Sequence, residues 1–220
     1  DSSALLHALR NLESERRPDL LAVHINHHLR GSESDLDQEW VADYCSGLDV
    51  ELTTRDGKLD PDQLRHRGVE ATARSTRYRL LDEVRRESEA DYVATAHTRS
   101  DQAETVLLRM LTGRGTWRLS GILPITPDGV IRPLLSVSRE DVVSYLEEHG
   151  IVARRDSSND DDRFLRNRIR HELRPLLALW NPRIEEILAD TAALERDRSE
   201  AFDQLLAPLR SSLVDELSDA

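Results

Sequence analysis

The sequence predicts an α/β fold: a doubly wound parallel sheet with a small helical subdomain at the carboxyl end. Three observations predict it. Short apolar runs rich in β-formers recur, helical patterns separate them, and the last stretch of chain is helical in period with no strand pattern. Alternation of strand and helix favours parallel pairing through right-handed crossovers. A length of 220 residues is enough for one such domain and a helical appendage without disulfides.

The elements follow in order. Residues 2 to 15 carry Leu5, Leu6, Leu9 and Leu12 at helical spacing. A parallel-sheet domain normally opens on a strand, so a strand and a loop are expected upstream of Asp1. "DLLAVHIN" (19 to 26) reads as a buried strand, 34 to 47 around Trp40 and Val41 as a helix, and "VELTTR" (50 to 55) as a second strand. A helix over 68 to 87, with Ala73, Tyr78, Leu80, Leu81 and Val84, leads to the strand "ADYVATAH" (90 to 97). The next helix begins near Thr98 and ends before Gly113. It runs into "GRGTWRLSGILPITPDGVIRP", whose turn residues predict a loop or hairpin. "SREDVVSYLEEHG" (138 to 150) is a helix with Ser138 as N-cap, Asp141 in capping-box position and Gly150 as stop. Beyond the polar loop "RRDSSNDDDR" the chain is helical from Phe164, apart from a break at Asn181-Pro182. Residues 182 to 213 are amphipathic and predict a packing pair of helices.

Charge is unevenly spread. The net charge of −12 argues against a surface that attracts nucleic acid everywhere. Of 30 basic residues only Lys58 is a lysine, and 29 are arginine, whose planar fork suits phosphate and carboxylate. "RHRGVEATARSTRYR" (65 to 79) and "RFLRNRIRHELR" (163 to 174) each hold five arginines and one acid. Such clusters serve equally as anion sites or as the mark of an arginine-rich composition. A single cysteine, Cys45, excludes an intramolecular disulfide and points to a reducing cytoplasm. The absence of any apolar run of about 18 residues points away from a membrane.

Three places carry candidate chemistry. Asp1-Ser2 opens a helix, where unsatisfied N–H groups and the dipole favour anions, though the same residues serve as a plain N-cap. In "VHINHHLRGSES" (23 to 34) the histidines lack the spacing of a strong metal signal. Asn26 and His27 instead fall at the carboxyl edge of a strand, where open α/β sheets bind ligands. His97 ends another strand, and Asp101 and Glu104 lie three apart on one face of the following helical turn. On the residues alone two readings of that pair stand side by side: capping of the helix, or a site for Mg²⁺ or a substrate ammonium.

The long motifs "AHTRSDQAETVLLRMLTGRG", "IRPLLSVSREDVVSYLEEHG" and "RRDSSNDDDRFLRNRIRHELRPLL", in that order, resemble the tRNA(Ile)-lysidine synthetases of the N-type ATP pyrophosphatase (PP-loop) superfamily. The resemblance covers roughly residues 1 to 183. Asp1-Ser2 match the last two positions of the family's S-G-G-x-D-S loop, which places the start of the numbered chain inside that loop. "VHINHHLRGSES" is similar to H-V-D-H-G-L-R-x-x-S, with Asn26 for Asp and His28 for Gly. "EATARSTRYRLL" aligns Glu70, Arg74, Arg77 and Tyr78 with the E-x-x-A-R-x-x-R-Y segment. Ser100 replaces the first of two adjacent acids, while His97, Asp101, Glu104 and Thr105 match. The family's glycine-rich loop is departed from at Thr112, Arg114, Thr116 and Arg118. "DSSN" (156 to 159), Phe164, Arg166, Asn167 and Arg170 fit the remaining motifs.

The resemblance implies a PP-loop catalytic domain over 1 to 178 and a helical subdomain over 179 to 220. It implies a soluble, cytoplasmic ligase that uses ATP and Mg²⁺ to adenylate the wobble cytidine of a CAU-anticodon isoleucine tRNA. Free lysine then displaces AMP, forming lysidine. In that scheme Asp1 positions Mg²⁺ and pyrophosphate. Ser2, Asn26, His27 and His97 bind the nucleotide. Asp101 and Glu104 orient lysine or make a second metal contact, and Arg77 and Arg166 or Arg170 face triphosphate, lysine carboxylate or tRNA backbone. Arg74, Asn159, Asn167 and Arg170 complete the substrate contacts. A homodimer is left open. Two other readings are carried: another PP-loop adenylating enzyme, a tRNA thiolase or amide ligase, and a nucleotide- or RNA-binding module without turnover.

Overall fold

The computed structural model of the protein describes residues 1–113, 119–152 and 165–218. The chain forms two compact units interleaved in sequence. The first takes Asp1–Ala96, Ile125–Ile131 and the stretch from Ser144. The second takes His97–Pro124, Arg132–Val143 and, among the described residues, Leu165 onward.

The first unit opens with α1 (Ser2–Arg10), shorter than the periodicity predicts. Asn11 ends it: both its backbone N–H (3.1 Å) and its side-chain Nδ2 (2.8 Å) donate to the His7 carbonyl. Strands β1 (Leu21–Asn26) and β2 (Glu51–Asp56) pair in parallel, in register from Leu21 opposite Glu51 to Asn26 opposite Asp56. Between them runs α2 (Ser32–Gly47), which buries Cys45 and stacks Trp40 on Tyr44. The helix α3 (Pro61–Glu87) starts earlier than periodicity predicts, because Asp60 caps it at the Asp62 N–H and Pro61 sits at its first position. It is broken at Gly68, whose φ of 77° and ψ of 170° lie outside the helical range, so the regular stretch begins near the predicted residue 68.

A second parallel pair, β3 (Val93–Ala94) with β4 (Val130–Ile131), completes the first unit's strands. The eight-residue run read as a strand pairs over only two residues. Its partner is flanked by Gly129, at φ +82°, and by Pro133 beyond Arg132, which has no N–H to give a ladder. The parallel strands with intervening helices are those the alternation predicts. The segment read as a loop or hairpin supplies β4, together with an antiparallel bridge between Ile125 and Ile131.

The second unit centres on α4 (Arg99–Leu111). Ala103, Val106 and Leu107 pack with Ile169, Leu188 and Ala192 into a closed apolar cluster. α5 (Arg139–Glu148) is capped by Ser138 and Asp141 in the reciprocal arrangement the sequence signals. Next come α6 (Leu165–Arg168), a π turn (Ile169–Leu173), α7 (Arg174–Trp180) and α8 (Ile184–Ser218). The stretch read as a helix pair is one continuous helix. The predicted break at Asn181-Pro182 is present, with the Asn181 side chain accepting from the Arg183 N–H. Among the described residues no helix is long and apolar enough to cross a membrane.

Candidate functional site

The candidate residues fall in both units, and those of the second are drawn into one cluster. In the second unit, Thr98 caps α4: its backbone N–H and hydroxyl donate to Asp101 Oδ2 at 2.9 and 3.0 Å. This fixes the carboxylate at the head of the helix. One turn further on the same face, Glu104 is 1% exposed. Arg170 grips it with a two-pronged contact, Nε to Oε1 at 2.7 Å and Nη2 to Oε2 at 2.9 Å, and Arg166 Nε adds a third bond at 3.1 Å. Arg174 Nη1 lies 3.8 Å from Glu104 and 3.3 Å from Glu185 Oε1. Glu185 in turn accepts from Ser100 Oγ at 2.8 Å. Ser100, which stands where the resemblance expects an acid, therefore touches a carboxylate supplied by α8.

Local folding accounts for the arginine row. Arg166, Arg170 and Arg174 are spaced by four, and an α-helix rotates such a series by about 40° per step. The wider π turn between Arg168 and Arg174 advances each residue by less, which takes up that drift and keeps all three facing Glu104. Asp101 receives weaker arginine contacts, 3.4 Å from Arg166 and 3.6 Å from Arg170. Burial pushes the Asp101 carboxyl up, but the Thr98 N–H bond, the charges of Arg166 and His97 and the Thr98 hydroxyl outweigh it, so the group lies below the usual carboxylate range. The Glu104 hydrogen bond is the main cause that raises Arg170 above its ordinary value. Asn167 is buried beside this row. Both members of the predicted acid pair are thus brought together with Arg166 and Arg170.

In the first unit, Asp1 is the N-cap of α1, without a side-chain capping bond, and Ser2 is exposed on its first turn. Asn26 is buried at the end of β1. Its Nδ2 donates to Asp35 at 3.1 Å and to Gln38 at 3.3 Å, and its Oδ1 accepts from the His28 N–H at 2.9 Å. The side chain therefore ties the β1–α2 connection, including His28 at φ 54°, to the head of α2. His27 meets the Gly57 carbonyl through Nδ1 at 2.8 Å. Arg74 and Arg77 are exposed on α3, Arg74 with its guanidinium 4.9 Å over the Tyr78 ring. Among the described residues no three His, Cys, Asp or Glu side chains stand together as a metal cage.

Arg174, Glu185 and Gly57 were not among the residues picked from the sequence. Arg174 continues the four-residue spacing and was legible from it, whereas Glu185 and Gly57 come from distant chain. Asn159 and Phe164 lie outside the described residues, as do Arg114, Thr116 and Arg118, and so does the side chain of Glu70.

Three comparisons bear on these clusters. Residues 1–177 match the model of the PP-loop domain family. The chain is 43% identical over 197 residues to tRNA(Ile)-lysidine synthase of Solibacter usitatus, covering 89% of this chain and 43% of that protein. It is 38% identical over 231 residues to the enzyme of the same name from Porphyromonas gingivalis strain W83, covering 100% of this chain and 49% of the relative. The chain thus spans a little under half the length of these curated relatives. Among solved structures, the U34-tRNA thiolase NcsA from Methanococcus maripaludis, described with its [4Fe-4S] cluster, shares the fold. Its TM-score is 0.72 at 16% identity, over 89% of this chain and 69% of that one.

Proposed function

This chain belongs to the PP-loop domain family, and from that premise we propose that it carries the ATP-using half of a tRNA-modifying ligase that makes lysidine. The observation that carries the proposal is sequence identity of 43% along 89% of the chain to a protein named tRNA(Ile)-lysidine synthase. The acid and arginine groups that such a reaction needs fall inside the matched stretch.

The chemistry assigns a task to each cluster. ATP transfers its adenylyl group to the C2 carbonyl oxygen of the wobble cytidine, and pyrophosphate leaves. The amine of lysine then attacks C2, and AMP departs with the oxygen. A carbonyl oxygen is a poor leaving group, and its adenylyl ester is a good one. Asp1 and Ser2, at the amino end of a nine-residue helix, suit phosphate oxygens. Mg²⁺ bound with phosphates takes one or two protein carboxylates, which the Asp1 carboxylate fits, and it would supply charge neutralisation at the leaving pyrophosphate.

In the second unit the two acids divide the work. Glu104, closed in by three arginines, holds the arginine row in place. Asp101, with arginine contacts of 3.4 and 3.6 Å, is the carboxylate that receives the lysine ammonium. As a zwitterion enters, Arg166 and Arg170 exchange part of their hold on Asp101 for the substrate carboxylate. Arg74 and Arg77, exposed on α3, meet tRNA phosphates. A cluster-dependent tRNA thiolase is disfavoured because this chain offers one cysteine, Cys45, buried and with its thiol pushed up by burial.

The test is a full-length assay with an isoleucine tRNA of CAU anticodon. Pyrophosphate release that requires both ATP and tRNA, followed by covalent retention of labelled lysine on the tRNA, is the expected result. ATP binding with no tRNA-stimulated release leaves a binding module instead. Release without lysine transfer indicates a different PP-loop ligase.

A further inference from the structure

We infer that His27 reads the nucleoside half of the bound nucleotide, its Nε2 accepting a hydrogen bond from a ribose hydroxyl or from the base amine. The argument rests on the nucleotide reading above and adds to it which end of the ligand lies at the edge of the β1–β2 pair.

The ring's protonation follows from its partner. Nδ1 stands 2.8 Å from the carbonyl oxygen of Gly57. A carbonyl oxygen can only accept, so Nδ1 carries the proton and Nε2 of the neutral ring presents a lone pair. Burial is the largest influence keeping the ring neutral, with the charges of Arg77 and His28 adding to it against the Gly57 bond. Nε2 itself is buried and has no hydrogen-bond partner among the described residues. A buried acceptor left in that state is costly, and such groups mark places where a ligand or an ordered water belongs.

The position is built for this tautomer. A Cβ at residue 57 would stand 2.6 Å from His27 Nδ1 and 2.5 Å from Ile25 Cγ2. Only glycine lets that backbone approach closely enough for its carbonyl to hold the ring. Asn26, the neighbouring polar side chain, has its oxygen and its amide nitrogen already engaged. The acceptor at the end of β1 is thus His27, and the ring lies at the strand edge where open α/β sheets bind nucleotides.

The chemistry of a lone pair selects the ligand group. Ionised phosphate oxygens have no proton to give, so the triphosphate is not its partner. The donors of a nucleotide are the two ribose hydroxyls and the exocyclic amine of adenine, and the test separates them. Binding of ATP, 2′-deoxy-ATP, 3′-deoxy-ATP and purine riboside triphosphate, which lacks the 6-amino group, is measured calorimetrically on the full-length protein. His27→Asn is measured in parallel, since the Asn amide can still donate toward the Gly57 carbonyl while nothing replaces Nε2.

In the wild-type protein, removal of a single donor should weaken binding roughly 5- to 10-fold, the size of one neutral hydrogen bond. His27→Asn should weaken ATP by a similar factor and bind that one analogue no worse than ATP. Equal binding of all four nucleotides by the wild-type protein overturns the inference without any variant, leaving Nε2 to a buried water. A penalty that persists unchanged in His27→Asn overturns it as well. If the wild-type protein binds no nucleotide at all, the nucleotide reading falls first and the inference with it.

Discussion

The acid–arginine lattice of the second unit and the strand edge of the first are both rich in polar groups, yet they are satisfied to different degrees. Around Glu104 three arginines meet three carboxylates, those of Asp101, Glu104 and Glu185, and the buried glutamate receives three bonds of 3.1 Å or less. At the end of β1, Asn26 is satisfied while His27 keeps a buried lone pair with no partner among the described residues. A charge cannot be buried without its counter-charge, so the first arrangement must close on itself for the chain to fold. A single neutral acceptor is tolerable, and it is the kind of defect a fold carries where a ligand completes it. The more conspicuous cluster is mostly framework, and within it Asp101, whose arginine contacts are the longer ones, is the acid we propose for the substrate.

That contrast can be broken first at Glu104. Glu104→Gln leaves Arg166 and Arg170 facing a neutral group, and a loss of about 3–5 kcal/mol in urea unfolding is expected for an interrupted buried ion pair. A loss below about 1 kcal/mol would show that the lattice is not framework. Replacing Glu104 and Arg170 together with methionine should cost less than replacing Glu104 alone, because the guanidinium most closely paired with Glu104 goes with it.

Asp101→Asn sharpens the division between the two acids. Lysine transfer should fall by about 100-fold or more, the scale of losing an oriented charged contact at the reacting centre, while the fold is retained. Near-normal transfer by this variant would remove Asp101 from the proposed role. The same residue sets an acid limb. The folded protein holds its carboxyl below the ordinary value of 3.8, so its ionised form stabilises the fold above that pH, and the contribution is lost as pH falls through the folded value. Stability measured from pH 5 to pH 2 should fall less steeply in Asp101→Asn than in the parent.

The smallest expected effects come from single hydroxyl bonds, one in each unit. Ser100→Ala removes the hydroxyl that donates to the Glu185 carboxylate and should cost about 1.5–3 kcal/mol by chemical denaturation. In the first unit Tyr145→Phe removes the partner of His7 Nδ1, 2.8 Å away, with a similar or smaller cost because the pair is only part-buried. A much larger loss at either site would reveal coupling that the single bonds alone do not carry.

The sequence by itself determined the elements whose signals are local. Thr98 with Asp101 and Ser138 with Asp141 are capping boxes because each involves residues three apart, and both form as written. The parallel pairing of β1 with β2 followed from alternation, as did the shared face of Asp101 and Glu104 from helical period. What the tertiary structure decided is who those carboxylates meet. Arg170 reaches Glu104 across 66 positions and Ser100 reaches Glu185 across 85, and no spacing rule spans such gaps. The truncation of β3 depended on its partner's flanking Gly129 and Pro133, and the tautomer of His27 depended on a glycine 30 residues away. Local propensity acts through neighbouring backbone, whereas buried charge and ring protonation answer to whichever groups packing brings within about 3 Å.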